Sequence, residues 1–103
     1  MTIYALSTGS GVAGVAIIRI SGPASSSVIK LLTNKEIPKP RMATLRKINN
    51  INTSELIDEG IIIWFPGPES YTGEDMAEIH VHGGKAVVIS VQNEISKIEN
   101  CRL

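Results

Sequence analysis

The stretch from Pro66 to Gly84, PGPESYTGEDMAEIHVHGG, gathers an unusual number of side chains that could do chemistry. It combines acids, two histidines, a tyrosine and a threonine with glycines and prolines around one short alternating strand. A simple connector needs turn residues, but it has no need for so many polar side chains. Loops of this kind, held between rigid elements, are frequent positions of binding sites. This stretch is therefore the first candidate for a binding site.

Two residues within strand-like sequence are candidate ligand contacts. Alternation places Glu78 on the polar face of a strand together with His80 and His82. Arg19 interrupts an otherwise apolar strand and lies on the face away from its isoleucine neighbours. A carboxylate can accept two parallel hydrogen bonds and a guanidinium can donate two, so this pair could hold a heterocycle such as a pterin with an acidic tail. The alternative for Arg19 is an ordinary exposed arginine on the solvent face of its strand.

The two histidines do not complete a metal site. His80 and His82 point the same way, but zinc needs three or four ligands, and the chain has no third histidine. Cys101 is remote in sequence, and Glu78 alone would leave the ligand set incomplete. A histidine just before Gly83-Gly84 more often bonds the turn that starts the next helix. We therefore predict no metal ligands.

Nucleotide and catalytic motifs are also absent. Gly9, Gly11 and Gly14 match the dinucleotide fingerprint by letter, but β-branched sequence follows them instead of the required helix. The sequence contains no P-loop, so it offers no basis for nucleotide hydrolysis. Ser70 and Thr72 have no residue that would orient them towards a base, so we predict no catalytic residue.

The elements that must position these residues can be read from periodicity. We predict the order β-β-α-β-β-β-α, an α+β fold with helices packed on a mixed sheet. The strands are Ile3–Thr8, Val12–Ile20, Met42–Ile48, Leu56–Phe65 and Ala77–His82, and the helices are Ala24–Thr33 and Lys85–Ile98. Thr8–Gly11 is the predicted hairpin turn, and Ile61–Phe65 is apolar enough to be covered on both faces. The chain ends where another strand could begin, so we expect it to belong to a longer protein.

Composition indicates one small domain over residues 1–103 with an aliphatic core. Apolar residues make up 43% of the chain and charged residues 19%, which is ordinary for a globular protein. Cys101 has no cysteine partner in the chain, which favours a reducing compartment. The sequence starts without the pattern of a signal peptide and has no membrane-spanning apolar run, so we expect a cytoplasmic location.

The charge is unevenly distributed although its formal sum is zero. Six basic residues lie between Lys30 and Lys47 against the single acid Glu36, whereas the stretch from Ile48 to Gly84 has seven acids and no lysine or arginine. Nucleic-acid binding needs several cations on one face. Because no aromatic residues interleave with these cations, a solvated face is favoured, and a nucleic-acid-binding adaptor is kept as an alternative function.

Several motifs together resemble a known family. They are TIYALST, GVAIIRISGP and DEGIIIWFPGPESYTGEDMAEIHVHGG, with the helix that follows. In register from about Thr2 to Ile98, the chain resembles the N-terminal domain of the MnmE (TrmE) family of tRNA modification GTPases. One departure is at Thr8–Gly11, where relatives usually carry a threonine-proline-proline-glycine turn, a change that bears on the rigidity of the loop.

The resemblance implies a fold and a ligand. The family's N-terminal domain has the fold of tetrahydrofolate-binding domains, as in the glycine-cleavage aminomethyltransferase, and it binds 5-formyltetrahydrofolate near a dimer interface. By motif match, Arg19 and Glu78 correspond to the family's folate contacts within this segment. The family's further contacts, its helical domain and its potassium-dependent GTPase domain would follow Leu103.

The resemblance also implies what the parent protein does. It would use GTP, Mg and K and, with a flavoprotein partner, would modify the wobble uridine of certain tRNAs. This segment would bind folate and dimerise instead of catalysing alone. A stand-alone folate-dependent one-carbon-transfer enzyme is an alternative, but the chain is too short for that class by at least half a fold.

A homodimer is expected on physical grounds as well. A sheet of so few strands leaves at least one edge open, and natural proteins cover such edges. The related two-lobed folate enzymes hold two such units in one chain, so a single copy is expected to form the pair through an isologous contact. The predicted contact surfaces are the Ile3–Thr8 strand and the Gly9–Gly14 turn.

Overall fold

A computed structural model of the chain describes residues 1–7 and 14–103. In these residues six strands form one sheet and two helices pack on it. The strands are β1 (Thr2–Leu6), β2 (Val15–Ser21), β3 (Thr44–Asn49), β4 (Leu56–Phe65), β5 (Met76–His82) and β6 (Cys101–Arg102). The helices are α1 (Ser25–Thr33) and α2 (Lys85–Ser96). The predicted order is confirmed, and a short strand follows α2 where the sequence allowed one.

The strands lie side by side in the order β3-β4-β5-β2-β1-β6. β6 pairs parallel to β1, and the other neighbours are antiparallel, so the sheet is mixed and the predicted α+β class is confirmed. β1 and β2 pair antiparallel up to Leu6 and Ile18. The turn predicted at Thr8–Gly11 lies outside the described residues, because residues 8–13 are not among them.

The core lies between the helices and one face of the sheet, and it is aliphatic as predicted. Alternate strand residues point into it from β2, β4 and β5, and one side of each helix meets them. Its fully buried members are Ile18, Ile20, Val28, Ile29, Leu32, Ile48, Ile62, Ala77, Ile79, Val91 and Ile95. Trp64 on β4 is also in this layer, with 4% of its surface exposed. Leu31 of α1 points away from this core and is 42% exposed.

Neither of the two helices packs on the second face of the sheet. Ile61, Ile63 and Phe65 of β4 point to that face and are only partly buried. Ile3 and Val15 share the face and are 56% and 52% exposed. The prediction that β4 is covered on both faces is therefore wrong for the described residues, because both helices pack on the same side. We call this surface the open face.

The start of α1 is fixed by close contact with the first strand. Gly22 has a φ of 137°, and a Cβ there would lie 2.6 Å from Thr2 Cα. The buried Thr2 hydroxyl accepts a hydrogen bond from the Ala24 N–H at 2.7 Å. The Ser25 hydroxyl donates to the Gly22 carbonyl at 2.8 Å. These contacts place the end of β2, and with it Arg19, in a fixed position.

No helix among the described residues has the length and apolar character needed to cross a membrane.

Candidate binding site

The sheet brings Arg19 and Glu78 directly opposite each other. Arg19 of β2 pairs with Glu78 of β5 in the antiparallel register, so both side chains emerge on the open face. Arg19 Nε donates to Glu78 Oε2 at 2.9 Å. Only 10% of the Glu78 side chain is exposed, whereas 48% of the Arg19 side chain is. The two predicted contacts are thus one ion pair, a relationship that strand alternation alone could not give.

His80 completes this cluster. Its Nε2 lies 3.0 Å from Glu78 Oε1, so each carboxylate oxygen of Glu78 has one hydrogen-bond partner. Burial by itself raises the pKa of Glu78, but the hydrogen bonds from His80 and Arg19 outweigh it and hold that pKa below its usual range. The carboxylate is therefore kept ionised at the centre of the open face. We call Arg19, Glu78 and His80 the polar cluster.

The Pro66–Asp75 loop contacts one end of the cluster. The guanidinium carbon of Arg19 lies 5.6 Å from the centre of the Tyr71 ring, within the range of a cation–π contact. The Tyr71 ring also packs against Phe65 at 5.9 Å between centroids, yet it remains 78% exposed. The Thr72 and Ser21 hydroxyls are 2.8 Å apart and join the loop to β2.

The base of the loop is anchored by Asp75. Its carboxylate accepts from the Gly67 N–H at 2.9 Å, and its carbonyl accepts from the Gly22 N–H at 2.9 Å. A Cβ at Gly67 would lie 2.7 Å from the Gly73 carbonyl oxygen, so the two arms of the loop approach closely. The loop thus rests on the strand ends and can hold Tyr71 above the polar cluster.

The cluster retains hydrogen-bonding capacity towards a ligand. Within the described residues, the only hydrogen bond of Arg19 uses Nε, which leaves the terminal amino groups for another acceptor. The Glu78 oxygens can each accept a further hydrogen bond. The arrangement can therefore bind a group that presents N–H donors to Glu78 and a negative charge or carbonyl to Arg19.

A shallow cleft of about 250 Å³ adjoins the cluster on the open face. Its walls combine apolar side chains with both histidines. It is lined by Val15, Leu45, Glu59, Gly60, Ile61, His80, Val81 and His82. An aromatic ring placed there would contact apolar side chains with His80 and the Glu78 carboxylate at its margin.

His82 does not join the polar cluster. Its backbone N–H donates to Asp58 Oδ2 at 2.9 Å, and its Nδ1 lies 2.8 Å from Asp58 Oδ1. Burial raises the pKa of Asp58, but the hydrogen bonds from His82 outweigh it and place that pKa below its usual value. The expectation that this histidine bonds the Gly83-Gly84 turn is wrong, because Asp58 on β4 takes both of its donors. Within the described residues, no group of three or more potential ligands is close enough to hold a metal ion.

Sequence reasoning identified Arg19 and Glu78 but missed the partners that orient them. His80 has a signal in the sequence, since it lies two residues from Glu78 on the same face of one strand. Nothing in the sequence except its place in the polar loop points to Tyr71, because its contact with Arg19 depends on how the loop folds back over β2.

A family model described as "GTP-binding protein TrmE N-terminus" matches residues 2–103. The chain is 71% identical over 103 residues to the tRNA modification GTPase MnmE of Pelagibacter ubique (strain HTCC1062), covering 100% of the chain and 23% of that relative. It is 45% identical over 101 residues to the tRNA modification GTPase MnmE of Zymomonas mobilis, covering 98% of the chain and 23% of that relative.

Similarity extends to mitochondrial proteins. The chain is 45% identical over 102 residues to the human "5-taurinomethyluridine-[tRNA] synthase subunit GTPB3, mitochondrial", covering 98% of the chain and 21% of that relative. The chain therefore spans less than a quarter of the length of these curated relatives. The range matched by the family model, residues 2–103, includes the three residues of the polar cluster.

Proposed function

The chain belongs to the family of the GTP-binding protein TrmE N-terminus, and from this we propose that it is the folate-binding and dimerisation domain of a tRNA modification GTPase. Two of the relatives that match nearly the whole chain are named tRNA modification GTPases. In this proposal residues 1–103 form one domain of a longer protein. The segment contains no P-loop, so GTP hydrolysis belongs to other parts of that protein.

The observation that carries the proposal is the polar cluster, which is flanked by partly exposed apolar side chains on the open face. The amino-pyrimidine edge of 5-formyltetrahydrofolate presents neighbouring N–H donors, which match the ionised, mostly buried carboxylate of Glu78. The terminal amino groups of Arg19 suit a carbonyl or the acidic tail of the same molecule. Tyr71, above Arg19, offers an aromatic surface against which a ring can pack.

Dimerisation is supported by the uncovered apolar side chains. Ile61 and Ile63 of β4 are only partly buried, and Ile3 of β1 and Val15 of β2 are 56% and 52% exposed. A second copy placed against this surface would remove them from water and would enclose a ligand held at the polar cluster. The Gly9–Gly14 turn, our other predicted contact, lies largely outside the described residues.

The remaining parts of the proposal concern the whole protein. It would bind GTP, Mg and K and would act with a flavoprotein on the wobble uridine of tRNA in the cytoplasm. The names of the relatives support tRNA modification and GTPase activity. The other statements rest on the family resemblance.

The proposal is tested by calorimetric titration of the purified chain with 5-formyltetrahydrofolate, together with sedimentation equilibrium at tens of micromolar protein. We expect saturable binding of one folate per chain and a mass twice that of the monomer. Folic acid without the reduced ring and the formyl group is the control ligand and should bind more weakly. A folded chain that takes up no folate at millimolar ligand would contradict the binding proposal, and a clean monomer would contradict dimerisation by this segment.

A further inference from the structure

The basic residues between Lys30 and Lys47 converge on one edge of the sheet. β3 is the outermost strand next to β4, and it carries Arg46 and Lys47. Lys35, from the connector after α1, lines the same cleft of about 350 Å³ as these two residues. The cleft is completed by Thr33, Leu45, Asn49 and Glu59. The sequence showed only that these cations are close along the chain, whereas the fold brings three of them to one place.

Arg41 extends the row of cations along the edge. Pro40 bridges to Trp64, and the Arg41 N–H donates to the Trp64 carbonyl at 2.7 Å, so this segment continues the edge of β4 before β3 begins. Arg46 and Lys47 pair further along β4, with Gly60 and Glu59. The β4 partners of Arg41 and Lys47 are Trp64 and Glu59, five residues apart, so at about 3.3 Å per residue the row covers roughly 17 Å. We call Lys35, Arg41, Arg46 and Lys47 the basic edge.

Arg46 has a donor without a partner. Its Nη1 donates to the Leu45 carbonyl at 3.0 Å, but its Nε is buried and has no hydrogen-bond partner among the described residues. A buried unpaired donor is costly, and native proteins rarely keep one without a reason. The Nε is shielded from solvent, so the Arg46 side chain must turn outward before this donor can meet a phosphate in the cleft, where Lys35 and Lys47 add their charges.

Few acids oppose these cations. Glu36 lies 3.6 Å from Lys30, outside the basic edge. Glu59 stands across from Lys47 in the register and is exposed, and no ion pair between them is formed. Asp58, the next acid along β4, is held by His82. Among the described residues, none of the four members of the basic edge forms an ion pair with a carboxylate.

We propose that the basic edge binds the phosphate backbone of RNA. Phosphates spaced along a nucleic-acid strand suit a row of cations, and neutralising them releases condensed counterions. No aromatic side chain lines the cleft, so the contact is with the backbone and carries no base specificity. The choice of RNA among polyanions rests on the proposed function, in which the whole protein acts on tRNA. β4 separates the basic edge from the strands of the polar cluster, although the clefts of the two sites adjoin and share Leu45 and Glu59 as lining residues.

The test compares two double variants that each remove two positive charges, one pair at the basic edge and the other pair away from it. Lys35→Ala/Lys47→Ala alters the basic edge, and Lys85→Ala/Arg102→Ala is the matched control, because Arg102 lies on β6 at the opposite edge. The probe is a fluorescein-labelled RNA stem-loop, followed by fluorescence anisotropy at several salt concentrations. We expect the basic-edge variant to lose about tenfold in affinity, with a salt slope smaller by about 1.4–1.8, and the control to lose less than about twofold.

The outcomes separate RNA binding from two other roles of the same residues. An equal loss in both variants would show unspecific attraction and would overturn the proposal, as would binding unchanged in the basic-edge variant. Lysines on an edge strand also prevent pairing with other chains. A variant that self-associates but keeps full RNA affinity would therefore assign the basic edge to that role and overturn RNA binding.

Two further measurements keep the test interpretable if the double variant does not fold or if the chain binds no folate. Lys47→Glu, a single exposed change, replaces the double variant if the latter does not fold, and it should weaken RNA binding while the circular dichroism spectrum stays unchanged. Titration of each variant with 5-formyltetrahydrofolate distinguishes the two proposals. If the basic-edge variant keeps both its folate binding and its RNA affinity, RNA binding at the basic edge is refuted and the folate proposal stands. If the basic-edge variant loses RNA affinity, RNA binding at the basic edge is supported, even when neither protein binds folate.

Discussion

The Arg19 guanidinium and the Glu78 carboxylate, 59 residues apart in the chain, lie directly opposite each other on neighbouring strands with 2.9 Å between Nε and Oε2. The acid is mostly buried and the base is half exposed. The pair therefore has one end fixed in the sheet and one end directed outward. This geometry allows Glu78 to be held ionised while Arg19 remains free to contact a ligand.

Glu78→Gln should weaken binding of 5-formyltetrahydrofolate. Glutamine keeps the size of the side chain but loses the charge and one of the two acceptors that face the N–H edge of the ligand. Loss of a charged partner in a largely desolvated position is expected to cost about 1.5–3 kcal/mol, roughly ten- to a hundredfold in affinity. Calorimetry checks this, with the exposed Glu99→Gln as control. Equal affinities of a folded Glu78→Gln protein and the parent chain would rule out the assigned role.

Arg19→Ala should reduce folate affinity and should change stability little. The side chain is 48% exposed, so loss of its ion pair is expected to cost only about 1 kcal/mol of unfolding free energy, and His80 still donates to the carboxylate. Arg19→Lys should recover part of the stability but less of the binding, since lysine cannot donate a bidentate pair. Urea denaturation and folate titration of both variants separate the two effects. A large loss of stability with binding retained would make Arg19 a structural residue.

Glu94 holds the turn after β3 to the second helix, and its removal should destabilise the fold. Its carboxylate accepts from the Ile51 N–H at 2.8 Å and from Lys97 Nζ at 2.8 Å, and only 5% of the residue is exposed. Glu94→Ala leaves these donors unpaired, and we expect a loss of about 1–3 kcal/mol in the free energy of unfolding. Glu94→Gln should lose less, since its amide oxygen can still accept from Ile51. Equal stability of the alanine variant and the parent chain would contradict this.

Stability should fall on acidification below about pH 4.5, the ordinary pKa of glutamate. Burial raises the pKa of Glu94, but hydrogen bonds from Lys97 and Ile51 outweigh it, so the folded value lies below the ordinary one. The unfolded chain then binds more protons in this range, so lowering the pH favours unfolding. Glu78 and Asp58 add to the effect in the same direction. Urea midpoints at pH 7 and pH 3.5 should differ less in Glu94→Gln than in the parent chain, and an identical drop in both would show that Glu94 does not contribute.

Gly60→Ala should destabilise the pairing of β4 with β5. A Cβ at this position would overlap the backbone carbonyl of His80, and backbone atoms of a central strand cannot move aside without breaking the sheet. We expect a loss of at least about 2 kcal/mol, measured by thermal or urea unfolding. Gly84→Ala is the matched control, because a Cβ there would meet nothing within 4 Å. Similar melting temperatures for the two variants would show that β4 can shift to accept the methyl group.

Sequence periodicity predicted the helices and strands because each depends on neighbouring residues. β4 and α2 begin where predicted, at Leu56 and Lys85, since alternation and glycine or proline boundaries act locally. Strand order and register depend on contacts between distant segments, so nothing local showed that β5 would lie between β2 and β4. The ion pair of Arg19 with Glu78 follows from that order and was for this reason not predicted.

The partly exposed face of β4 shows the limit of reading burial from composition. The run Ile61–Phe65 is apolar throughout, and such a run indicates cover on both faces without saying what provides the cover. In this chain the helices supply it for Ile62 and Trp64 only. The apolar character of the run alone could not show that the helices would cover only one of its two faces.

The placement of the aromatic residues allows folding and ligand binding to be followed with separate optical signals. Trp64 is the single tryptophan of the chain, and it lies 4% exposed in the core layer, on the face of the sheet opposite to the polar cluster. Its emission should shift to longer wavelength when the core opens and should respond little to a molecule bound on the open face. Tyr71, 78% exposed above Arg19, lies where such a molecule would alter its absorbance directly. A single unlabelled sample can thus report on the core through its indole and on the binding surface through a phenol.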